Sequence, residues 1–167
     1  LINKLNNKSI ISVDTETSSL NPMEADLVGI SFSCASNEAY YIPINHKKFK
    51  CLNKELVLKK LKPLLEDESI KKVGQNIKYD LIVLMNNGIN ISPIEDTMLL
   101  SYVLDAGNNR HNMDTLSELH LAHKTISYKD LVGTGKKQLK FSDINLKEAT
   151  EYAAEDADVT LRLYELL

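Results

Sequence analysis

Long apolar runs are absent from this chain of 167 residues. No segment approaches the roughly 20 apolar residues that a membrane-spanning helix needs, and the start does not resemble a signal peptide. Cysteine is scarce, since Cys34 and Cys51 are the only two. Their spacing fits neither a disulfide framework nor a zinc site. We therefore predict a soluble, cytoplasmic protein whose thiols are buried or incidental.

An excess of basic charge is also lacking. The chain has 20 Lys and Arg against 23 Asp and Glu, which gives a formal net charge of −3. Such a balance cannot hold long stretches of nucleic acid by electrostatics alone. Any contact with nucleic acid is therefore expected to be short, or to be assisted by another part of a larger protein.

The size and the apolar content indicate one globular domain. An apolar share of 43% is ordinary for such a domain, and 167 residues are enough to bury one core. The chain starts with Leu1 and stops inside a predicted helix. The size and composition predict a single domain over residues 1–167. Because of how the chain starts and stops, we expect it to be a piece of a longer protein.

The residue pattern predicts strands first and helices later. β-branched composition predicts strands at 8–15, 27–34, 38–44 and 69–75. Helical spacing of apolar residues predicts helices at 54–66, 77–88, 96–104, 114–122 and 146–167. Pro63 should kink or shorten its helix, and Gly88 should cap the next one. The segment 133–140 is the one candidate for a flexible loop. This order predicts an α/β fold with a mixed β-sheet and flanking helices.

Two carboxylates follow the first predicted strand, in the stretch "ISVDTETSSL". Side chains two apart on a strand point the same way, so Asp14 and Glu16 should share one face while Thr15 faces the other. Like charges held together need a cation between them. Read alone, the pair fits a solvated turn as well as it fits a site for Mg²⁺ or Mn²⁺.

Two other segments offer partners for that pair. Asp80 lies in the apolar helical stretch "YDLIVL", where an unpaired carboxylate would be costly. Tyr152 and Asp156 are four residues apart, which places them on the same side of the last predicted helix. Each of these acids could instead belong to a solvated surface. The coincidence of all of them favours a metal site.

Three motifs in order carry a family resemblance. The segments "VDTETSSL", "VGQNIKYDLIVL" and "YAAEDADVTL" resemble those of the 3′-5′ exonuclease (proofreading) domain of bacterial-type DNA polymerase I, in the tyrosine-type DEDD superfamily. The connecting segments "YYIPINH" and "GTGKKQLKF" are also similar, so the resemblance covers essentially the whole chain. It implies a ribonuclease H-like fold. A polymerase domain and a 5′ nuclease domain, which that family's parent proteins carry, are missing from this sequence.

The resemblance also implies roles for individual residues. Asp14, Glu16, Asp80 and Asp156 are expected to ligate two divalent cations, Mg²⁺ or Mn²⁺. Tyr152 is expected to lie beside the attacking water and to orient it, because a phenol with an ordinary pKa of about 10 is a poor base at neutral pH. By the same resemblance, contacts with the substrate are expected from Thr15, Leu20, Gln75, Asn76, Tyr79, Arg110 and Phe141.

Some of these substrate contacts have simple alternatives. Leu20 and Phe141 are expected to wedge against the terminal bases, but they could also be core residues. Arg110 is expected to contact phosphate, but it could be an ordinary surface arginine.

The leading hypothesis is a metal-dependent 3′-5′ exonuclease that proofreads single-stranded or frayed DNA ends. Its expected partners are a 3′ DNA end and the polymerase domain of the same parent protein, and we expect a monomer associated with the nucleoid. The first alternative is a ribonuclease D-like enzyme acting on RNA. The second is a non-catalytic module that docks on DNA ends or on a polymerase.

Overall fold

The computed structural model describes residues 1–167, with the side chain of Lys136 left out. Five strands are present: β1 Ile10–Thr17, β2 Leu27–Ala35, β3 Glu38–Pro43, β4 Lys71–Gly74 and β5 Ile94–Asp96. The helices are α1 Ile2–Leu5, α2 Lys54–Leu65, α3 Lys78–Asn86, α4 Thr97–Leu104, α5 Met113–Leu121, α6 Tyr128–Val132 and α7 Leu146–Leu166. Two 3₁₀ turns lie at Gly135–Lys137 and Phe141–Asp143. None of the helices in the described residues combines the length and the apolar character that a membrane span requires.

The five strands form one mixed sheet in the order β3-β2-β1-β4-β5. Strands β1, β2 and β3 pair antiparallel, whereas β4 runs parallel to β1, and β5 runs parallel to β4. The carboxyl ends of β1, β4 and β5 therefore meet at one edge of the sheet. In open sheets with parallel strands, this edge is where ligands usually bind.

Each face of the sheet is covered by different helices. Ile11 and Val13 of β1 pack into a core that includes Leu61 of α2 and Leu84 of α3. On the opposite face, the hydroxyl of Ser12 donates to the carbonyl of Ala157 in α7, at 2.6 Å. Because β1 alternates its side chains between these two layers, residues 14 and 16 face α7.

The α/β prediction is confirmed, and the predicted elements lie within about two residues of the observed ones. Pro63 lies in the last turn of α2, which ends two residues later at Leu65. Gly88 has a φ of 78° and donates to the carbonyl of Met85. Ile89 donates to the carbonyl of Leu84, which completes a Schellman cap as the glycine predicted.

Short elements were missed by the sequence pattern. The strand Ile94–Asp96 has three residues and directly follows Pro93, so it offers no alternation to recognise. The helix Tyr128–Val132 has five residues, too few for a helical period. The segment 133–140, expected to be a flexible loop, contains the first 3₁₀ turn.

Candidate active site

The second half of β1 carries the first two carboxylates. Asp14 pairs with Ser31 of β2, and Glu16 pairs with Gly29, both in the antiparallel register. The register shifts between Glu16 and Thr17, a bulge of the kind that often re-aims side chains beside functional sites. Both acids face α7, as the spacing of two residues predicts.

The long helix α7 brings the third carboxylate to this pair. Three carboxylate oxygens lie within 4.8 Å of one another, one each from Asp14, Glu16 and Asp156. No basic side chain forms an ion pair with any of the three among the described residues. Three carboxylates this close have the donor set that Mg²⁺ or Mn²⁺ prefers.

The fourth predicted carboxylate, Asp80, approaches from the opposite layer. Its Oδ1 accepts hydrogen bonds from the backbone amide of Thr15 at 3.0 Å and from the hydroxyl of Thr15 at 2.5 Å. Asp80 is therefore fixed to the residue between Asp14 and Glu16. It lies outside the compact group of three, but its charge is close enough to raise the pKa of Asp14.

Glu16 has an oxygen that nothing in the described structure satisfies. Oε1 of this buried side chain has no hydrogen-bond partner. The ring of Tyr41 packs directly on Gly29, which pairs with Glu16 across the sheet. A Cβ atom at position 29 would lie 2.1 Å from the phenolic oxygen of Tyr41. A buried, unpaired carboxylate oxygen is costly unless a cation is bound to it. The residues present therefore fit a divalent ion.

Burial raises the pKa values of all four acids, and repulsion from nearby carboxylates adds to it. For Asp14 and Glu16, burial comes first and the charges of the neighbouring carboxylates add to it, so the pKa lies well above the usual range. Burial raises the pKa of Asp156 to about 7. Burial also raises the pKa of Asp80 to about 7, although the hydrogen bonds from Thr15 oppose that shift. Such clusters are typical of functional sites.

Tyr152 lies one helical turn before Asp156, and its ring is held by two other aromatic rings. The ring centroids of Phe141 and Tyr128 are 6.0 and 5.9 Å from that of Tyr152. Burial, followed by the charge of Asp156, raises the pKa of the Tyr152 hydroxyl above its usual range. The phenol therefore remains protonated at neutral pH and can donate a hydrogen bond.

Phe141 does not match its expected role as a wedge against the terminal base. Its side chain is only 1% exposed and packs in the core cluster with Val132 and Ala153. The structure thus places Phe141 behind Tyr152 as a core residue, which is the alternative that the sequence left open. An aromatic residue alone does not reveal which side of a site it occupies.

Leu20 lies at the surface instead. Its side chain is 95% exposed. The segment leading to it is held by Tyr79, whose hydroxyl bonds the hydroxyl of Thr17 at 2.5 Å and donates to the carbonyl of Ser19. In this structure Tyr79 anchors the loop that presents Leu20.

Of the remaining predicted substrate contacts, Gln75 and Asn76 directly follow β4, and Arg110 lies between α4 and α5. Gln75 accepts from Thr97 at 2.5 Å and donates to the carbonyl of His111 at 2.8 Å, so its amide links β4 to the segment beside Arg110. Arg110 and Asn76 are exposed. Asn76 has a φ of 58°, a conformation that asparagine tolerates better than most residues.

Two residues near this edge were missed by the sequence reasoning. Asp96 accepts from the backbone amides of Asn76 and Ile77 at 2.9 and 3.1 Å, which fixes the turn into α3. Tyr128 is 41% exposed and meets Tyr152 edge-on. The charge of Glu16 contributes to a raised pKa of the Tyr128 hydroxyl, after burial. A lone tyrosine in "KTISYKD" gives no pattern that singles it out.

Comparison with known proteins agrees with the motifs. A protein-family model described as 3′-5′ exonuclease matches residues 1–167. DNA polymerase I of Pseudomonas aeruginosa is 46% identical over 99% of this chain, and that of Borreliella burgdorferi is 42% identical over 99%. The matched parts make up 19% and 18% of those two proteins, so the chain spans less than a fifth of their length.

Solved structures share the fold. NrnC of Brucella melitensis is 25% identical, with a TM-score of 0.72 over 95% of this chain and 71% of that one. RNase D of Escherichia coli, an exoribonuclease involved in structured RNA processing, is 19% identical, with a TM-score of 0.73 over 99% of this chain and 40% of that one. The sheet and its helices are therefore ribonuclease H-like, as the motifs implied.

Proposed function

Since the chain belongs to the 3′-5′ exonuclease family that includes the matched part of bacterial DNA polymerase I, we propose that it hydrolyses the 3′-terminal phosphodiester of DNA. The substrate is a single-stranded or frayed 3′ end, and the product is a nucleoside monophosphate. The observation that carries the proposal is the group of three carboxylates, Asp14, Glu16 and Asp156, within 4.8 Å.

Two divalent cations, Mg²⁺ or Mn²⁺, complete this site. Asp14, Glu16 and Asp156 would hold them, with Asp80 beside the group. Bound there, such ions supply charge neutralisation at the phosphodiester and make water a stronger nucleophile. The unpaired, buried Oε1 of Glu16 supports the assignment, because it has a free lone pair and no other partner.

Tyr152 orients the attacking water and holds its own proton. Burial and Asp156 keep its hydroxyl protonated, so it donates a hydrogen bond and does not act as a base. Its ring is fixed by Phe141 and Tyr128, which makes the direction of that hydrogen bond well defined. Positioning of this kind is worth most when the geometry exists before the substrate binds.

The terminal nucleotide is contacted by Leu20 and Tyr128. Both side chains are exposed, and each is anchored to a residue of the site, Leu20 through the loop held by Tyr79 and Tyr128 through Tyr152. Apolar and aromatic contacts with a base are indifferent to its identity, as proofreading requires. Asn76 and Arg110 contact the DNA backbone. Both are exposed near the end of β4, and the guanidinium group of an arginine suits phosphate oxygens.

The parent protein supplies the remaining affinity. The net charge of −3 favours a short footprint on DNA. The two relatives described above are DNA polymerases I, and the matched part is 19% and 18% of their lengths. A polymerase domain of the same parent is therefore the proposed partner, and it delivers the frayed 3′ end.

RNA is the second candidate substrate, because the fold is shared with RNase D. The 46% identity to a DNA polymerase I favours DNA. Matched DNA and RNA oligonucleotides, labelled at the 5′ end, decide between them in the presence of Mg²⁺ or Mn²⁺. We expect stepwise shortening of the DNA from its 3′ end at the higher rate.

The matched variant for this experiment is Asp14→Ala, which removes one of the three clustered carboxylates and should abolish cleavage. A wild-type chain that binds single-stranded DNA but does not cleave it with either metal would contradict the proposal. That result would favour a docking module without catalytic activity.

A further inference from the structure

Glu155 lies next to Asp156 on α7, but it faces a different part of the molecule. Its two carboxylate oxygens accept hydrogen bonds from two residues of the segment that joins α5 to α6, residues 122–127. The Nε2–H of His123 donates to Oε1 at 2.8 Å, and the backbone amide of Ile126 donates to Oε2 at 2.6 Å. One side chain thus fixes the segment 122–127 at two points.

This segment has further anchors on its α5 side. Ser117 and His123 exchange two hydrogen bonds, at 3.2 and 2.8 Å. The hydroxyl of Thr125 donates to Asp114 at 2.7 Å. These bonds tie the segment 122–127 to α5, whereas Glu155 ties it to α7, the helix that carries Tyr152 and Asp156.

The segment 122–127 leads directly into Tyr128. Ile126 is two residues before Tyr128, so a fixed Ile126 amide restricts the tyrosine to within about 7 Å of that point. The far end of α6 is held separately, because Val132 packs into the core with Phe141. Glu155 therefore controls the end of α6 on which the exposed tyrosine lies.

We propose that Glu155 is a positioning residue, which clamps the segment 122–127 so that the ring of Tyr128 stays against Tyr152 and faces the terminal nucleotide. This inference rests on the proposed function, since it assigns Tyr128 to the substrate. Glu155 itself touches neither the substrate nor a cation. Charge-assisted hydrogen bonds to a backbone amide and an imidazole suit this role, because they are short and directional.

The test is a double-mutant cycle on the 167-residue chain, with Glu155→Ala, Tyr128→Ala and the double variant. Each single change should lower kcat/KM on single-stranded DNA about tenfold, the size expected when one base–aromatic contact is lost. In both single variants, the fall in kcat/KM should come from kcat and from KM in the same proportion. The double variant should be no worse than Tyr128→Ala, since Glu155 acts through that ring.

His123→Ala removes one of the two hydrogen bonds to Glu155. This variant should therefore show part of the same loss of kcat/KM. In the Tyr128→Ala background, the same change should cause no further loss. The matched control is Glu151→Ala, one turn earlier on α7, where the side chain is exposed and only distantly paired with Lys147. This control should leave the kinetics unchanged.

Two measurements separate positioning from damage to the site. Mn²⁺ affinity, measured by calorimetry, should be the same in Glu155→Ala as in the wild type. Amide hydrogen exchange of the metal-free chain should accelerate at residues 124–130 and stay unchanged in α7 around residue 156. Losses that multiply in the double variant, weaker Mn²⁺ binding, or unchanged kinetics would each overturn the proposal.

A different result is expected if the proposed function is wrong. In that case the wild-type chain does not cleave DNA at all, and the hydrogen exchange of Glu155→Ala alone decides whether the clamp exists.

Discussion

Thr15 donates two hydrogen bonds to the same oxygen of Asp80, one from its amide at 3.0 Å and one from its hydroxyl at 2.5 Å. Thr15 belongs to β1 and Asp80 to α3, so this contact joins the two layers at the point where Asp14 and Glu16 leave the strand. The contact sets the position of the fourth carboxylate relative to the other three.

Thr15→Val should therefore reduce activity without unfolding the chain. Valine keeps the shape and the amide bond but loses the hydroxyl bond, which is worth about 1.5–3 kcal/mol when its partner is charged. We expect kcat to fall about tenfold and the Mg²⁺ concentration for half-maximal rate to rise. Thr15→Ser, which keeps a hydroxyl, is the control. Equal activity of the valine and serine variants would show that the amide bond alone positions Asp80.

The stability of the metal-free chain should fall as the pH rises. The folded-state pKa values of Asp80 and Asp156 are raised to about 7, whereas unfolded carboxyl groups titrate at about 4. Between these values the folded state binds more protons than the unfolded state, so its stability is greatest below the unfolded pKa and is lost as the pH rises through 7.

Thermal unfolding at pH 5 and pH 8 checks this sign. Without metal, we expect the lower melting temperature at pH 8. Mg²⁺ or Mn²⁺ should raise the melting temperature mainly at pH 8, because bound cations favour deprotonated ligands. The melting temperature of the Asp14→Asn variant, which has one carboxylate fewer, should depend less on pH. A metal-free chain that gains stability from pH 5 to pH 8 would contradict the raised pKa values.

Much of the site could be predicted from the sequence because its chemistry lies on regular elements. Asp14 and Glu16 share a face of a strand since they are two residues apart, and Tyr152 and Asp156 share a side of a helix since they are four apart. In the structure, Asp14, Glu16 and Asp156 each have one carboxylate oxygen within 4.8 Å of the others. These spacings do not depend on distant contacts.

The surroundings of the site could not be predicted in the same way. Phe141 and Tyr128 both contact Tyr152, but Phe141 is buried in the core and Tyr128 is exposed at the surface. The role of Glu155 depends on two residues about 30 positions away, His123 and Ile126. Contacts of this length leave no periodic signal in the chain.

Tyr152→Phe should slow cleavage by about a hundredfold, the lower end of the range for a lost acid–base group. The ring remains against Phe141 and Tyr128, so the melting temperature should not change. Because burial and Asp156 keep the hydroxyl protonated, the factor should be constant between pH 6 and pH 9. Rates over this range on single-stranded DNA provide the measurement.

Tyr152→Ala is the comparison for this prediction, since it also removes the ring. It should lower the melting temperature and should weaken the support of Tyr128. If the wild-type rate rises with pH over this range and the phenylalanine variant loses that rise, then Tyr152 is a base in the reaction and its assignment as an orienting donor is wrong.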